Sequence, residues 1–232
     1  MKKLLLALLL LPARYCCAQP KRPIVHLNLP SLIDFVGFPT IQGGIEVPLW
    51  GRLSWYNEFG WRIFKHRYRP YDTLFVPERG YKLKTEFRYY FSHNTPSGHN
   101  NYFTSKQEDY YIALNAFYIY DSHNNKLWYS TDTDPAFEKI DCFGVEKKIW
   151  GFNVVAGVQG RLSKQWILDA YAGIGGRFRY YNNTNMEIRY KTDSVAWSRH
   201  PNVFDIADQG DVKGGFSFMP NFTLGVRIGY RF

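Results

Sequence analysis

The sequence predicts an all-β chain, folded as a single closed antiparallel transmembrane β-barrel of eight strands with long extracellular loops. Three observations lead there. Apolar and polar residues alternate with a period of two over long segments, as they must where successive strand side chains point to opposite faces. Aromatic residues make up 19% of the chain, with 18 Tyr, 18 Phe and 7 Trp, and a barrel with a ring girdle at each membrane interface has use for them. Connections between the alternating segments switch between tight and long, as in barrels with short inner turns and long outer loops.

Taken in order, the first strand spans residues 24–29 and is the weakest, being short with Pro23 and Pro30 at its edges. The second, 40–48, leads through Leu49-Trp50-Gly51 into the third, 52–64. There Leu53, Trp55, Asn57, Phe59, Trp61 and Ile63 share one face, opposite Ser54, Tyr56, Glu58, Gly60 and Arg62. In the fourth, 80–91, Tyr81, Leu83, Thr85, Phe87, Tyr89 and Phe91 oppose Lys82, Lys84, Glu86, Arg88 and Tyr90. The fifth spans 109–120. In the sixth, 149–161, Trp150, Phe152, Val154, Ala156 and Val158 oppose Asn153, Gln159 and Arg161. A tight turn at Leu162-Ser163-Lys164-Gln165 precedes the seventh, 166–181, where Trp166, Leu168, Ala170, Ala172, Ile174, Phe178 and Tyr180 oppose Asp169, Arg177 and Arg179. The eighth, 220–232, sets Phe222, Leu224, Val226, Ile228, Tyr230 and Phe232 against Thr223, Arg227 and Arg231. Residues 65–80, 121–148 and 182–219 read as long outer loops, rich in Asp, Asn, Ser, Gly and Pro. Segment 92–109 is long for an inner turn, so six or ten strands are the alternatives to eight.

A soluble sandwich alternates too, with its apolar face turned inward. The inverted barrel is favoured because the strands reach the ~10 residues that cross a bilayer at a tilt. Their polar faces also hold full charges of both signs, which a small lumen can pair.

Residues 1–18 read as a secretory signal: Met1-Lys2-Lys3, a leucine-rich run from Leu4 to Leu11, then a small-residue stretch ending Cys17-Ala18. The run is shorter than the ~20 apolar residues of a membrane-crossing helix. Cleavage after Ala18 leaves 19–232 as one outer-membrane barrel domain. Lipid attachment at Cys16 or Cys17 is the alternative, against which Arg14 and Tyr15 stand. Loss of Lys2, Lys3 and Arg14 takes the formal charge from +9 to 9 − 3 = +6. The remaining bases are scattered rather than gathered on one run, so nucleic acid is not expected; outer-membrane lipid and lipopolysaccharide are the expected partners. Only Cys142 survives processing, leaving no intrachain disulfide framework.

The ending Thr223-Leu224-Gly225-Val226-Arg227-Ile228-Gly229-Tyr230-Arg231-Phe232 resembles the C-terminal signal read by the barrel-assembly machinery, with Thr223, Gly225, Ile228, Tyr230 and Phe232 in its key places. That resemblance implies the machinery as a partner. Three further segments are Val25-His26-Leu27-Asn28-Leu29, Gly44-Ile45-Glu46-Val47 and Trp50-Gly51-Arg52-Leu53-Ser54. With the paired strands from Trp150-Gly151-Phe152 through Gly176, they are similar to a family of small barrels of unknown function from the Bacteroides group, of OmpA-like barrel architecture. The resemblance implies a fold and a location, the cell outer membrane, and no activity.

Catalytic constellations are weak. Ser92-His93-Asn94 and Ser122-His123-Asn124 bring Ser and His together, but adjacent strand residues face apart, so both read as polar turns. Asp121, Asp132, Asp134 and Asp141 lack the spacing of a calcium loop, and His93 and His99 have no thiolates nearby to suggest zinc. Ala172-Gly173-Ile174-Gly175-Gly176 lies inside a strand rather than before a helix, so it is no phosphate loop; Gly173 and Gly175 are expected to make room for large lumen side chains. Asp72-Thr73-Leu74 and Asp193-Ser194-Val195 fit a short O-glycan attachment pattern. No catalytic residue, metal ligand or cofactor is predicted.

The lumen is the informative surface. Glu46, Glu58, Glu86 and Asp169 are expected to meet Arg62, Lys82, Lys84, Arg88, Arg161, Arg177, Arg179, Arg227 and Arg231 in an ion-paired plug with a basic excess near the rims. The expected function is non-enzymatic: a structural or surface-binding role in the cell envelope. The alternatives are a small anion or solute channel and a barrel enzyme acting on envelope lipid.

Overall fold

The computed structural model describes residues 23–28, 40–62, 76–91, 108–131, 134–189, 193–196 and 212–232, without the side chains of 134–138 and 194–196. These form nine strands: β1 (Ile24–Asn28), β2 (Thr40–Pro48), β3 (Leu53–Arg62), β4 (Arg79–Tyr90), β5 (Glu108–Thr131), β6 (Asp134–Arg161), β7 (Trp166–Thr184), β8 (Ser194–Ala196) and β9 (Gly215–Arg231). Eight of them close into an antiparallel ring, in the order β4-β3-β2-β1-β9-β7-β6-β5 and back to β4. Closure is made by β1, which pairs with β2 on one side and with β9 on the other, and by β4 on β5. β8 stays outside the ring, adding Ser194–Ala196 to the far end of β5.

The turns explain the registers. Leu49 N donates to Leu53 O and Leu53 N to Trp50 O, a reversal that puts Gly51 at φ 59°, where a side chain is disfavoured. At the other tight turn, Ser163 Oγ accepts from the backbone N of Gln165 and Trp166. Both turns lie at the same end as Tyr90, Glu108 and Arg231. The connection between Tyr90 and Glu108 is at this end too, and β1–β2, β3–β4, β5–β6 and β7–β9 join at the opposite end.

Six of the eight ring strands match the sequence reading to within a few residues. The correction concerns 121–148, read from its Asp, Asn and Ser content as a loop. Instead β5 and β6 continue as a hairpin, paired from Asp121 and Lys147 up to Thr131 and Asp134. Alternation persists there beneath the polar composition. Leu127, Tyr129, Phe143 and Val145 keep the inward side and pack with Ile188, Val212 and Met186 in a small apolar cluster. β7 also runs on to Thr184, paired with Gly144 of β6, and β9 starts at Gly215 rather than 220, paired with Tyr181.

The ring is inverted relative to a soluble core. Leu224 is 81% exposed, Phe222 75% and Leu114 67%, all on the outward face, while Arg88, Arg227, Glu86 and Asp169 are fully buried inside. Outward rings gather at two levels. Near the tight turns stand Trp166, Tyr230, Phe232, Tyr89 and Phe91. At the other end stand Tyr81, Tyr118, Tyr120, Trp150, Phe178, Phe216 and Phe218. Aliphatic and Phe side chains fill the wall between them. Among the described residues no helix is long and apolar enough to cross a membrane.

Candidate functional site

The centre of the ring is occupied by one ion network. Strand alternation delivers each member: Glu46 from β2, Glu58 from β3, Lys84, Glu86 and Arg88 from β4, Asp169 from β7 and Arg227 from β9. Arg88 donates to Glu86 through Nε and Nη2 (2.9 and 2.7 Å) and to Glu46 through Nη1 (2.9 Å). Its Nη2 also lies 3.1 Å from Asp169. Arg227 reaches Glu86 (2.7 Å), Glu58 (3.0 Å) and Asp169 (3.2 Å). Lys84 completes the set, 3.0 Å from Glu86. Four carboxylates therefore meet three permanent cations, with His26 Nε2 3.3 Å from Glu46.

Neutral donors complete the lone pairs that the cations leave. Glu46 accepts from Ser54 Oγ (2.6 Å), Tyr90 Oη (2.6 Å) and Gln159 Nε2 (2.8 Å). Asp169 accepts from Tyr111 Oη at 2.8 Å, and Glu58 from Tyr56 Oη and from Asn28 Nδ2. Such satisfaction is what makes buried charge tolerable, since an unpaired ion in a low-dielectric interior is expensive. The guanidinium of Arg227 also stacks 3.9 Å from the Tyr171 ring and 4.3 Å from Tyr56, and that of Arg88 lies 4.4 Å from Tyr56 and 4.6 Å from Tyr111.

Three of these tyrosines rest on glycines of the neighbouring strand. A β-carbon on Gly44, Gly157 or Gly225 would fall 2.3–2.4 Å from the rings of Tyr56, Tyr111 or Tyr171. Here the sequence reading chose the wrong glycines. At Gly173 and Gly175 the nearest obstacles are Val154 O and Phe152 O, backbone of β6 rather than large lumen side chains. Their role is close strand approach.

The predicted lumen charges thus divide into levels. Glu46, Glu58, Lys84, Glu86, Arg88, Asp169 and Arg227 come together. Arg62 stands above them and pairs with Asp121 at 2.7 Å. Lys82, Arg177 and Arg179 lie toward the outer end, and Arg161 and Arg231 at the inner rim beside the tight turns. His26, Tyr111 and Tyr171 were missed as members. Their alternation with outward Val25, Tyr110 and Ala172 was the available signal, and reading rings as lipid-facing hid it. Of the assembly-signal residues, Thr223 and Gly225 point inward, while Ile228, Tyr230 and Phe232 lie on the outward side, Phe232 58% exposed.

At Ser122 and His123 the side-chain hydrogen bonds to Pro77 and Asp121 form no nucleophile–base pair. Ser122 Oγ donates to Pro77 O, while His123 Nδ1 is 2.9 Å from Asp121 Oδ2. Asp141 accepts from the backbone N of Glu187 and Ile188, so it organises a turn. Asp193 Oδ2 accepts from Arg189 N, and Ser194 and Val195 pair with β5 through their backbone. Among the described residues no group of three or more His, Cys, Asp or Glu could hold a metal ion. Ser92, His93, His99, Asp132, the Asp72-Thr73-Leu74 motif, Cys16 and Cys17 lie outside the described residues, and of Asp134 only the backbone is described. Compared with protein-family models, curated proteins and solved structures, the chain matches none.

Proposed function

We propose that the chain is an outer-membrane β-barrel with a non-enzymatic role in the cell envelope, giving a rigid wall that carries an outer hairpin as a surface-binding platform. The carrying observation is the inverted polarity of the ring. An apolar band faces out between two levels of aromatic rings, and a charged network fills the inside. From Tyr110 to Tyr120 there are ten residue steps; at ~3.4 Å each and a tilt of ~40° this gives a band about 26 Å tall, close to the apolar height of outer-membrane barrels. The leader-like composition of residues 1–18 supports export, and the resemblance to small Bacteroides-group barrels supports the same location. Outer-membrane lipid, lipopolysaccharide and the barrel-assembly machinery are the partners this reading implies.

A conducting channel is disfavoured, because seven charged side chains bind one another across the centre of the ring. A lipid-modifying enzyme is disfavoured because Ser122 and His123 face apart with their polar atoms engaged elsewhere. The test is gel mobility of outer-membrane fractions with and without heating. A faster-running unheated band is expected, and recovery of the protein in the soluble periplasmic fraction would overturn the proposal.

A further inference from the structure

We propose that the outer half of the lumen, above the ion network, is a blind cup that binds an oxyanion of the phosphate class through Arg177 and Arg179. The inference deepens the surface-binding reading and rests on it for the side to which the cup opens.

The two arginines are two residues apart on β7 and so share its inward face. Arg179 lies close enough for its charge to act on Arg177, with Tyr181 beside them. Arg179 Nε donates to Ser217 Oγ at 3.2 Å. The Nε of Arg177 is buried without a hydrogen-bond partner among the described residues. This contrasts with the layer below, where Arg88 and Arg227 are each bound to several carboxylates. Those four acids are already engaged, and Asp121 on β5 is held by Arg62 and His123. Two like charges side by side, one with an orphaned buried donor, are arranged for a group that brings negative charge with it.

Gly151, the β6 partner of Arg177, and Gly175 let β6 and β7 approach closely here, each meeting backbone of the other strand where a β-carbon would stand. Beneath them an amide ladder runs along the wall. Asn221 Nδ2 donates to Asn153 Oδ1 (2.9 Å), Asn153 Nδ2 to Asn115 Oδ1 (2.9 Å), and Asn115 Nδ2 to Thr85 O (3.2 Å). With the ion network filling the centre of the ring below, a ligand would enter and leave from the outer end. Planar guanidinium forks match phosphate oxygens in pairs, which an ammonium does not.

The experiment titrates the refolded full chain, in a zwitterionic detergent at low ionic strength, with inorganic phosphate and then with a sugar phosphate of the envelope-lipid type. Binding is followed by calorimetry and by the 15N shifts of the arginine Nε groups. Saturable one-site binding of phosphate is expected, with the Arg177 Nε signal moving most. Arg177→Gln and Arg179→Gln should each weaken it at least tenfold, Arg177→Lys by less, and Arg161→Gln at the inner rim should leave it unchanged. Tighter binding of the sugar phosphate assigns the cup to a lipid headgroup, and equal binding assigns it to free phosphate; either supports the site. If a Gln variant loses the heat-modifiable band, the wild-type 15N shifts decide alone. Absence of saturable phosphate binding, or binding indifferent to Arg177 and Arg179, overturns the cup. Loss of the band in the wild type would instead indict the barrel reading.

Discussion

Replacing Arg227 with Met is the sharpest probe of the ion network. The guanidinium is fully buried and hydrogen-bonds to Glu58, Glu86 and Asp169, carboxylates of three different strands. Methionine keeps most of the volume and removes the charge, leaving four acids with Lys84 and Arg88. Removing one partner of a buried ion pair costs about 3–5 kcal/mol. Three carboxylates lose an interaction here, so the upper part of that range applies, about a thousandfold or more in the folded-to-unfolded ratio. The control is Arg231→Met at the half-buried inner rim, where a solvent-screened charge is worth about 0–1 kcal/mol. Both variants would be unfolded by urea in lipid vesicles and followed by tryptophan fluorescence and by unheated gel mobility. In the double variant Arg227→Met with Glu86→Gln, the loss should fall short of the sum by about 1–3 kcal/mol, because the two residues share an interaction. An Arg227→Met protein within about 1 kcal/mol of wild type would refute the claim that the network holds the ring together.

Three other outcomes follow. Gly225→Ala should destabilise by about 1–3 kcal/mol in the same urea assay, since its β-carbon would meet a Tyr171 ring held by Arg227 and Lys84; Gly160→Ala, with nothing within 4 Å of the new carbon, should stay within about 0.5 kcal/mol. Phe143→Ala should open the outer β5–β6 hairpin by about 3 kcal/mol or more, seen as faster hydrogen exchange at Leu127 and Tyr129 while Tyr111 and Val155 stay protected; equal acceleration in the ring would contradict a separate outer cluster. Burial, with Asp141 adding to it, pushes the Cys142 thiol up against the lowering effect of Lys126. A membrane-impermeant maleimide should therefore label it from the outside slowly at pH 7 and faster as pH rises through and beyond the ordinary thiol value of about 8.5; pH-independent labelling would show the thiol is not so placed.

What could be read from the chain was the alternation, and with it the sides of nearly every ring strand. Glu86 and Arg88 between Phe87 and Tyr89 left no freedom, because a one-residue slip would put both charges on the outer wall. The outer hairpin was hidden for a compositional reason. Asn124, Asn125 and Ser130 resemble loop residues, yet each takes a place in a pairing set by the ring below. Tyrosine was ambiguous for a chemical one: its ring suits a membrane interface, and its hydroxyl suits a buried carboxylate. Tyr118 faces outward and Tyr111 inward onto Asp169, and only their parity within one strand tells them apart. Which glycines receive a ring depends on the neighbour across the strand, so Gly157 beneath Tyr111 became visible only with the register.

The ion network ties together strands that are not neighbours in the ring. Glu58 on β3 is linked to Asp169 on β7 through Arg227, and Glu46 on β2 to the same Asp169 through Arg88. Those bridges span up to 169 positions of sequence, so they cannot form while the sheet is an open ribbon. Until β1 meets β9, the same carboxylates and guanidiniums would face whatever surrounds the unfinished edge. If the chain enters a membrane as proposed, hydrocarbon would reject them, which favours zipping the last seam before or during that entry. Once shut, the cylinder resists sideways parting, since any gap between neighbours would strand ions from both walls.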